Sequence, residues 1–463
     1  MLRKKKDSKN MSMEKDRVNS LSAQERAGLR ITDMRFCDID TMPKRCTLIK
    51  IYTNAGIVGY GEVRDAATKT YAAMLKSRIL GENPLNVDKL FRRVKQFGFH
   101  SRQGGGVSGV EVALWDIAGK AWGVPCWQML GGKFRDRIRV YCDTDVEGKH
   151  NGYDMGQALK KRMEMGFTFL KMDLGIGLLI NEPGTLTAPL GFLDEVKTYA
   201  KHSINAPHGS MDYSQMSHKA YEVNTVAHPF TGIRLTEKGL DMLEEYVRQV
   251  REVIGMDVPL AVDHFGHICV EDTIRFARRM EPYNLAWIED VAPWHYTDHY
   301  VRLRNSTTIP ICTGEDIYLK EDFEKLMKAG GVSVIHPDVL TAGGMLETKK
   351  IGDLAYDYGV MTALHMAESP IGAMAAVHVA AALPQVMAME FHSADVPYWQ
   401  DVVNGLPRPL IKDGFIVVPD APGLGIESLN EELIGKLVCK NIPGQWEETS
   451  RWDGDICNDR LWS

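Results

Sequence analysis

From about residue 140 to residue 390 one pattern repeats. A short apolar run is closed by a polar residue, and a longer amphipathic stretch follows. The runs are FTFLKMD, VPLAVD, LAWIED, IPICTGE, VSVIHPD, GVMTALH and QVMAME, with helical stretches such as LDMLEEYVRQVREVIG and EDTIRFARRM between them. Strands alternating with helices predict βαβ units and a parallel sheet. Upstream the texture differs. ITDMRFCDI and CTLIKIYTNAGIVGYGEV read as strands with a turn at Asn54-Ala55-Gly56, and VEVALWDIAGKAWG has helical spacing with a closing glycine. These patterns divide the chain into a flexible arm (1–27), an α+β domain (28–140), a (β/α) barrel (141–392) and a Pro/Gly-rich C-terminal segment (393–463). Within the barrel, about 176–234 is too long for one connection and reads as an insertion.

The residues that close the apolar runs are Asp263, Glu289, Glu315, Asp338, His365 and Glu390, at spacings of 26, 26, 23, 27 and 25. Each spacing is one βα unit. In a closed (β/α)₈ barrel every unit returns the chain to the same rim, and active sites lie at that C-terminal face. Lys171 and Asp173, closing FLKMD, belong to an earlier strand of the same rim. A single acid after a strand is ordinarily a helix cap. Six successive closures by an acid or a histidine are not explained that way, because Ser, Thr or Asn would cap as well.

Three of these side chains, Asp263, Glu289 and Glu315, are carboxylates from consecutive strands. Crowded anions call for a cation between them, and oxygen-only donors point to Mg²⁺ or Mn²⁺. Such an ion can hold a substrate carboxylate. Asp338 and His365 follow one unit apart, so an Asp–His dyad with the imidazole as general base is expected. Lys171 is expected across the barrel from the dyad, as a cation for developing enolate charge, with Glu390 as a hydrogen-bonding acid. His264 and His267, in VDHFGH, are candidate acids for a leaving group or ordinary loop histidines. Arg64, after GYGEV, is either a contact for a substrate carboxylate or a surface arginine.

Composition narrows the classes. Lys+Arg is 55 and Asp+Glu 61, a net charge of −6, which argues against general nucleic-acid binding. No apolar run is long enough for a membrane helix. The eight cysteines include no C-x-x-C pair, which suits reduced thiols in a cytoplasmic protein. The basic N-terminus lacks a following apolar region, so no secretory signal is expected. Gly104–Gly109 fits G-x-G-x-x-G, but no strand precedes it, and close helix packing is the better reading.

VEVALWDIAGKAWGVPCWQMLGGKFRDRIRVY, WIED, TGED, HPDVLTAGGM and the His365 strand, in that order, resemble the enolase superfamily in its mandelate racemase-like branch. The resemblance spans nearly the whole chain after the arm. It implies an enolase-type barrel with an N-terminal α+β capping domain completed by the C-terminal segment. It also implies abstraction of a proton α to a carboxylate. Asp263, Glu289 and Glu315 match the family's metal ligands, Asp338–His365 its dyad, Glu390 its last-strand acid and Lys171 the first lysine of its Lys-x-Lys motif. The second lysine is Asp173 here, which weakens two-base racemisation and favours dehydration of a hexonate-type sugar acid. A cycloisomerase opening a 3,6-anhydrogalactonate-type acid, a racemase or epimerase, and a catalytically silent sugar-acid-binding barrel stand as alternatives. Family analogy adds a homo-oligomer.

Overall fold

The computed structural model describes residues 20–42, 44–64, 69–96, 105–146, 148–179, 182–187, 232–263 and 268–454. The first described helix, α1 (Ala23–Gly28), starts within the expected arm and is closed at its start by a reciprocal Ser22–Glu25 capping box. Strands β1 (Ile31–Met42), β2 (Lys44–Thr53) and β3 (Val58–Val63) form an antiparallel meander. The turn before β3 carries Gly56 at φ +76°, as the Asn54–Gly56 signal predicts. Helices α2 (Val87–Val94) and α3 (Val107–Trp122) cover the sheet. Gly106 opens α3 at φ +106°, where a Cβ would lie 2.4 Å from that of Ala72, so the glycine-rich stretch serves close packing.

The barrel follows as β4 (Arg137–Cys142), α4 (Gly152–Glu164), β5 (Leu170–Asp173), α5 (Glu237–Ile254), β6 (Leu260–Asp263), α6 (Val270–Met280), β7 (Trp287–Glu289), α7 (Thr297–Arg304), β8 (Ile311–Thr313), α8 (Lys320–Lys328), β9 (Val334–Ile335), α9 (Met345–Asp357), β10 (Met361–Thr362), α10 (Pro370–Ala382) and β11 (Met389–Phe391). The strands run in parallel in that spatial order, and β11 pairs with β4. Beyond β10, Leu364 N–H donates to Ala388 and Glu390 N–H to Leu364, which closes the ring. Between β5 and α5, Leu186–Thr187 pair antiparallel with Arg234–Leu235, clamping the two ends of the insertion together.

The barrel interior explains where the chemistry sits. Tyr141, Phe169, Ala261, Trp287, Cys312, Val334, Ala363 and Ala388, one from each strand position, form a buried apolar plug. Strand side chains alternate with period two. The next inward position of each strand is therefore Asp143, Lys171, Asp263, Glu289, Gly314, His336, His365 and Glu390. Seven of these eight are ionisable, so a polar layer lies directly on the apolar plug at the strands' C-terminal ends.

After β11 the chain returns to the capping domain. β12 (Phe415–Val417) pairs antiparallel with β4, and α11 (Glu431–Leu437) leads to a segment on the meander edge, where Cys439 N–H donates to Asp38 and Trp446 N–H to Phe36. Two buried glutamates of the capping domain reach the starts of barrel helices. Glu62 accepts from Ser369 Oγ (2.6 Å), Ser369 N–H (3.0 Å) and Gly372 N–H (3.2 Å) at α10, and Glu111 accepts from Met345 and Leu346 N–H at α9. Among the described residues no helix is long and apolar enough to cross a membrane.

Candidate active site

Asp338 and His365 close β9 and β10, and the expected dyad is present: His365 Nδ1 lies 2.6 Å from Asp338 Oδ2. Both are buried. The other Asp338 oxygen accepts from Leu340 and Thr341 N–H, so the strand-to-helix turn that follows fixes the carboxylate. His365 Nε2 lies 3.0 Å from Glu315 Oε2. Burial disfavours charge on His365, but Glu315 and Asp338 outweigh it and hold its pKa well above the ordinary histidine value.

Lys171, on β5 at the other side of the barrel from β9 and β10, has its ammonium 2.8 Å from Asp263, 2.7 Å from Glu289 and 2.8 Å from Glu390. The cause is local. Asp263 lies on the neighbouring β6 two residues past Ala261, the register partner of Lys171, Glu289 follows on β7, and three buried anions attract the buried cation within reach. Burial opposes the lysine charge, yet the three carboxylates raise its pKa well above normal. Trp287 Nε1–H donates to the second Glu289 oxygen at 2.6 Å.

Glu315, the third candidate ligand, is turned to partners of its own. It follows Gly314, whose φ of +150° shifts the next residue out of the alternating pattern. A Cβ at Gly314 would meet Phe323 at 2.8 Å and the His336 backbone N at 2.9 Å. Glu315 turns to His365 and to Arg64, whose guanidinium is 3.7 Å from its carboxylate. Despite burial, these cations and Lys171 hold its pKa well below the carboxylate range. Asp290 takes the nearer place, its carboxylate grouped with those of Asp263 and Glu289 within 4.8 Å. Burial, followed by the charges of Glu315, Asp263 and Glu289, pushes Asp290 well above its ordinary value.

Arg64 is largely buried against the candidate site and is not a surface arginine. From the end of β3 it donates to the Glu315 carbonyl (3.0 Å) and Thr341 Oγ1 (2.6 Å), and lies 3.3 Å from Glu368 and 3.6 Å from Asp338. Asp173 ends β5 on the same face as Lys171, in register with Asp263, and is partly exposed at the mouth. His264 and His267 lie outside the described residues.

The sequence reading missed four members of this centre. His336, two residues before Asp338, lies 3.0 Å from Glu289 and 3.2 Å from Glu390 and hydrogen-bonds Tyr141. Burial works against its charge, and the two carboxylates lift its pKa to about 9. Asp143, Asp290 and His392 complete the set. His336 and His392 were findable by counting two residues from Asp338 and from Glu390. Glu390 is the hub: buried yet held well below normal pKa by Lys171, His392 and His336.

The donor set fits a hard divalent cation. Asp263, Glu289 and Asp290 offer oxygen atoms alone, and the surplus of negative charge that drives Asp290 toward protonation is what such an ion would relieve.

Comparison with known proteins agrees. The mandelate racemase/muconate lactonizing enzyme N-terminal domain family matches residues 36–131, and the enolase C-terminal domain-like family matches residues 215–432. A D-xylonate dehydratase from Haloferax volcanii is 33% identical over 386 residues, 82% of each chain. A mandelate racemase/muconate lactonizing enzyme-like protein from Rubrobacter xylanophilus superposes with a TM-score of 0.72 at 28% identity, covering 90% of this chain and 99% of that one. A member of the enolase superfamily from Salmonella Typhimurium gives 0.69 at 26% identity, covering 88% and 98%. The chain is an enzyme, and it belongs to the enolase superfamily in its mandelate racemase/muconate lactonizing enzyme branch.

Proposed function

We propose that the protein is a Mg²⁺-dependent acid-sugar dehydratase, a carbon–oxygen lyase that removes the proton α to a carboxylate and expels a β-hydroxyl as water. The observation that carries the reading is the buried Asp338–His365 dyad beside a cluster of carboxylates at one barrel mouth. Asp263, Glu289 and Glu315, with Asp290 at hand, would hold the cation. When bound, it would supply Lewis-acid stabilisation of charge developing on the substrate carboxylate.

Asp338 accepts a hydrogen bond from His365 Nδ1, and Nε2, which faces Glu315 at 3.0 Å, is the nitrogen that takes the α-proton once it has released its own to solvent. Lys171 holds Asp263, Glu289 and Glu390 in place and offsets their charge. Arg64 reaches from the capping domain to the mouth, where it is shared by Glu315, Asp338 and Glu368. Asp173 stands where a lysine would serve as an opposite-face base, which favours elimination over racemisation. The substrate class is an aldonic acid. The resemblance to the branch's sugar-acid dehydratases suggests a hexonate, and the Haloferax relative is named for a pentonate, so both belong in the test.

Purified protein with Mg²⁺ and a panel of pentonates and hexonates in deuterated water is expected to exchange the α-proton and form a 2-oxo-3-deoxy acid. His365→Asn is expected to abolish both while retaining metal binding. Epimerised substrate with no loss of water would overturn the reading in favour of a racemase. Binding without exchange on any acid would establish a silent barrel.

A further inference from the structure

The barrel mouth carries a second Asp–His pair. His392, two residues past Glu390 at the end of β11, has Nδ1 3.3 Å from Asp143 Oδ2 on the neighbouring β4. His365 on β10 has Nδ1 2.6 Å from Asp338 beyond the neighbouring β9. In both pairs Nδ1 is turned to an aspartate and Nε2 to a glutamate: His392 Nε2 lies 3.1 Å from Glu390 Oε1, and His365 Nε2 lies 3.0 Å from Glu315 Oε2 and 3.9 Å from Glu390 Oε2. The two imidazole rings stand 5.6 Å apart, centre to centre. They differ in exposure: the side chain of His365 is 3% exposed and that of His392 is 23%. His392 therefore reaches farther toward the mouth than the base does.

Ionised carboxylates only accept hydrogen bonds, so a ring nitrogen facing one presents a proton to it. His392 faces a carboxylate at each nitrogen. Its Nε2 lies near Glu390 but is not aligned with it as a hydrogen bond, so that N–H is turned toward Glu390 without being committed to it. A base and an acid on adjacent strands, with rings 5.6 Å apart, can address groups on neighbouring carbons of one substrate.

We propose that Asp143 and His392 form an acid dyad and that His392 Nε2 delivers the proton to the departing β-hydroxyl. The inference rests on the dehydratase reading. In the step, His365 takes the proton from C2. The electron pair left at C2 forms the C2–C3 double bond, and the C3–O bond breaks with its pair going to oxygen. That oxygen takes the His392 proton and leaves as water. The enol tautomerises to the 2-oxo acid by gaining a proton at C3 and losing its own. The proton on His365 returns to solvent, and His392 regains one, so no net proton is consumed. Asp143 acts through the His392 ring, with which its side chain is paired, and is a positioning residue.

His392→Asn separates the steps. Turnover of a sugar acid that the wild type dehydrates is expected to fall at least about 100-fold, the usual worth of a positioned general acid. Exchange of the α-proton in deuterated water is expected to persist within a few-fold. A 3-deoxy-3-fluoro analogue of the same acid is expected to lose fluoride at near the wild-type rate, since fluoride departs without a proton. Asp143→Asn is expected to show the same split to a smaller extent. Undiminished turnover in His392→Asn overturns the assignment and places the acid elsewhere. Equal loss of exchange, dehydration and fluoride release overturns it in favour of a structural part through Glu390. A wild type that exchanges but eliminates nothing from any aldonate overturns the dehydratase reading itself, an outcome distinct from either.

Discussion

Asp338 divides its two oxygens between His365 and the backbone: Oδ2 lies 2.6 Å from His365 Nδ1, while Oδ1 accepts from Leu340 at 2.6 Å and Thr341 at 3.1 Å. One buried side chain thus orients the base and caps the turn that positions it. The two tasks come apart on substitution. Asp338→Asn can keep its carbonyl on Leu340 and Thr341, but its amide then faces Nδ1 and selects the tautomer with the proton on Nε2. Activity is expected to fall about 10³–10⁴-fold, as in other Asp–His pairs where the tautomer is reversed, with the melting temperature nearly unchanged. Asp338→Ala is expected to lose the cap as well, about 1–2 kcal/mol of stability. Parallel measurement of kcat and denaturant midpoint checks both, and equal destabilisation in the two variants contradicts the division.

Lys171 touches three carboxylates, two of which, Asp263 and Glu289, belong to the proposed cation site, so removing it tests the charge accounting. Breaking a buried ion pair by deleting one partner costs about 3–5 kcal/mol. Lys171→Met is expected to be destabilised by that order in a chelator. Added Mg²⁺ is then expected to raise its stability more than it raises that of the wild type, because the carboxylates have lost their internal cation. Urea denaturation with and without Mg²⁺ reads the difference. A smaller metal effect in the variant would place the cation away from Asp263 and Glu289.

What the chain disclosed of this centre follows from geometry. The spacing of one βα unit located Asp263, Glu289, Asp338, His365 and Glu390 at a common rim, because a closed barrel leaves no other place for them. That same argument looked only at the last polar residue of each run. His336 and His392 lie two residues from a recognised position and so face the same way, and the two-residue period of a strand was the unused signal. Asp143 was hidden by the apolar Tyr141 and Cys142 before it, at what reads as a domain boundary. The orientation of Glu315 and the partners of Lys171 depend on charges brought from other strands and from Arg64, and no local pattern encodes them. Nor does one encode Glu62 and Glu111, whose partners on α10 and α9 are hundreds of residues away.

Glu62 also gives the molecule a pH dependence of known sign. Burial raises its pKa from 4.5 to about 7, although Ser369 and Gly372 donate to it and pull the other way. The folded state therefore holds the proton where the unfolded chain has released it. The contribution to stability is greatest below about pH 4.5 and is lost as pH rises to about 7, where it amounts to about 3 kcal/mol at 1.36 kcal/mol per pH unit. Glu62→Gln is expected to flatten the stability profile between these values. Denaturant midpoints at half-unit pH steps, for both proteins, make the comparison. An unchanged slope in the variant would mean that Glu62 is ionised throughout.

The seam between α3 and β3 reverses an ordinary expectation about glycine. Within a helix, Gly→Ala usually stabilises by about 1 kcal/mol. Gly109 is inside α3, but a Cβ there would lie 2.0 Å from the Glu62 carbonyl oxygen, and one at Gly61 would lie 2.1 Å from that of Gly109. Backbone obstructs each, so neither can give way as a side chain would. Gly109→Ala is expected to destabilise by about 1–3 kcal/mol or more. It is also expected to reduce activity, because the displaced β3 carries Glu62 to α10 and Arg64 to the barrel mouth. Gly28, the last residue of α1, has nothing within 4 Å of a Cβ position, and Gly28→Ala is the matched control expected to be neutral or slightly stabilising. Should Gly109→Ala match that control in both stability and turnover, the close approach of helix to strand would not be what docks the capping domain.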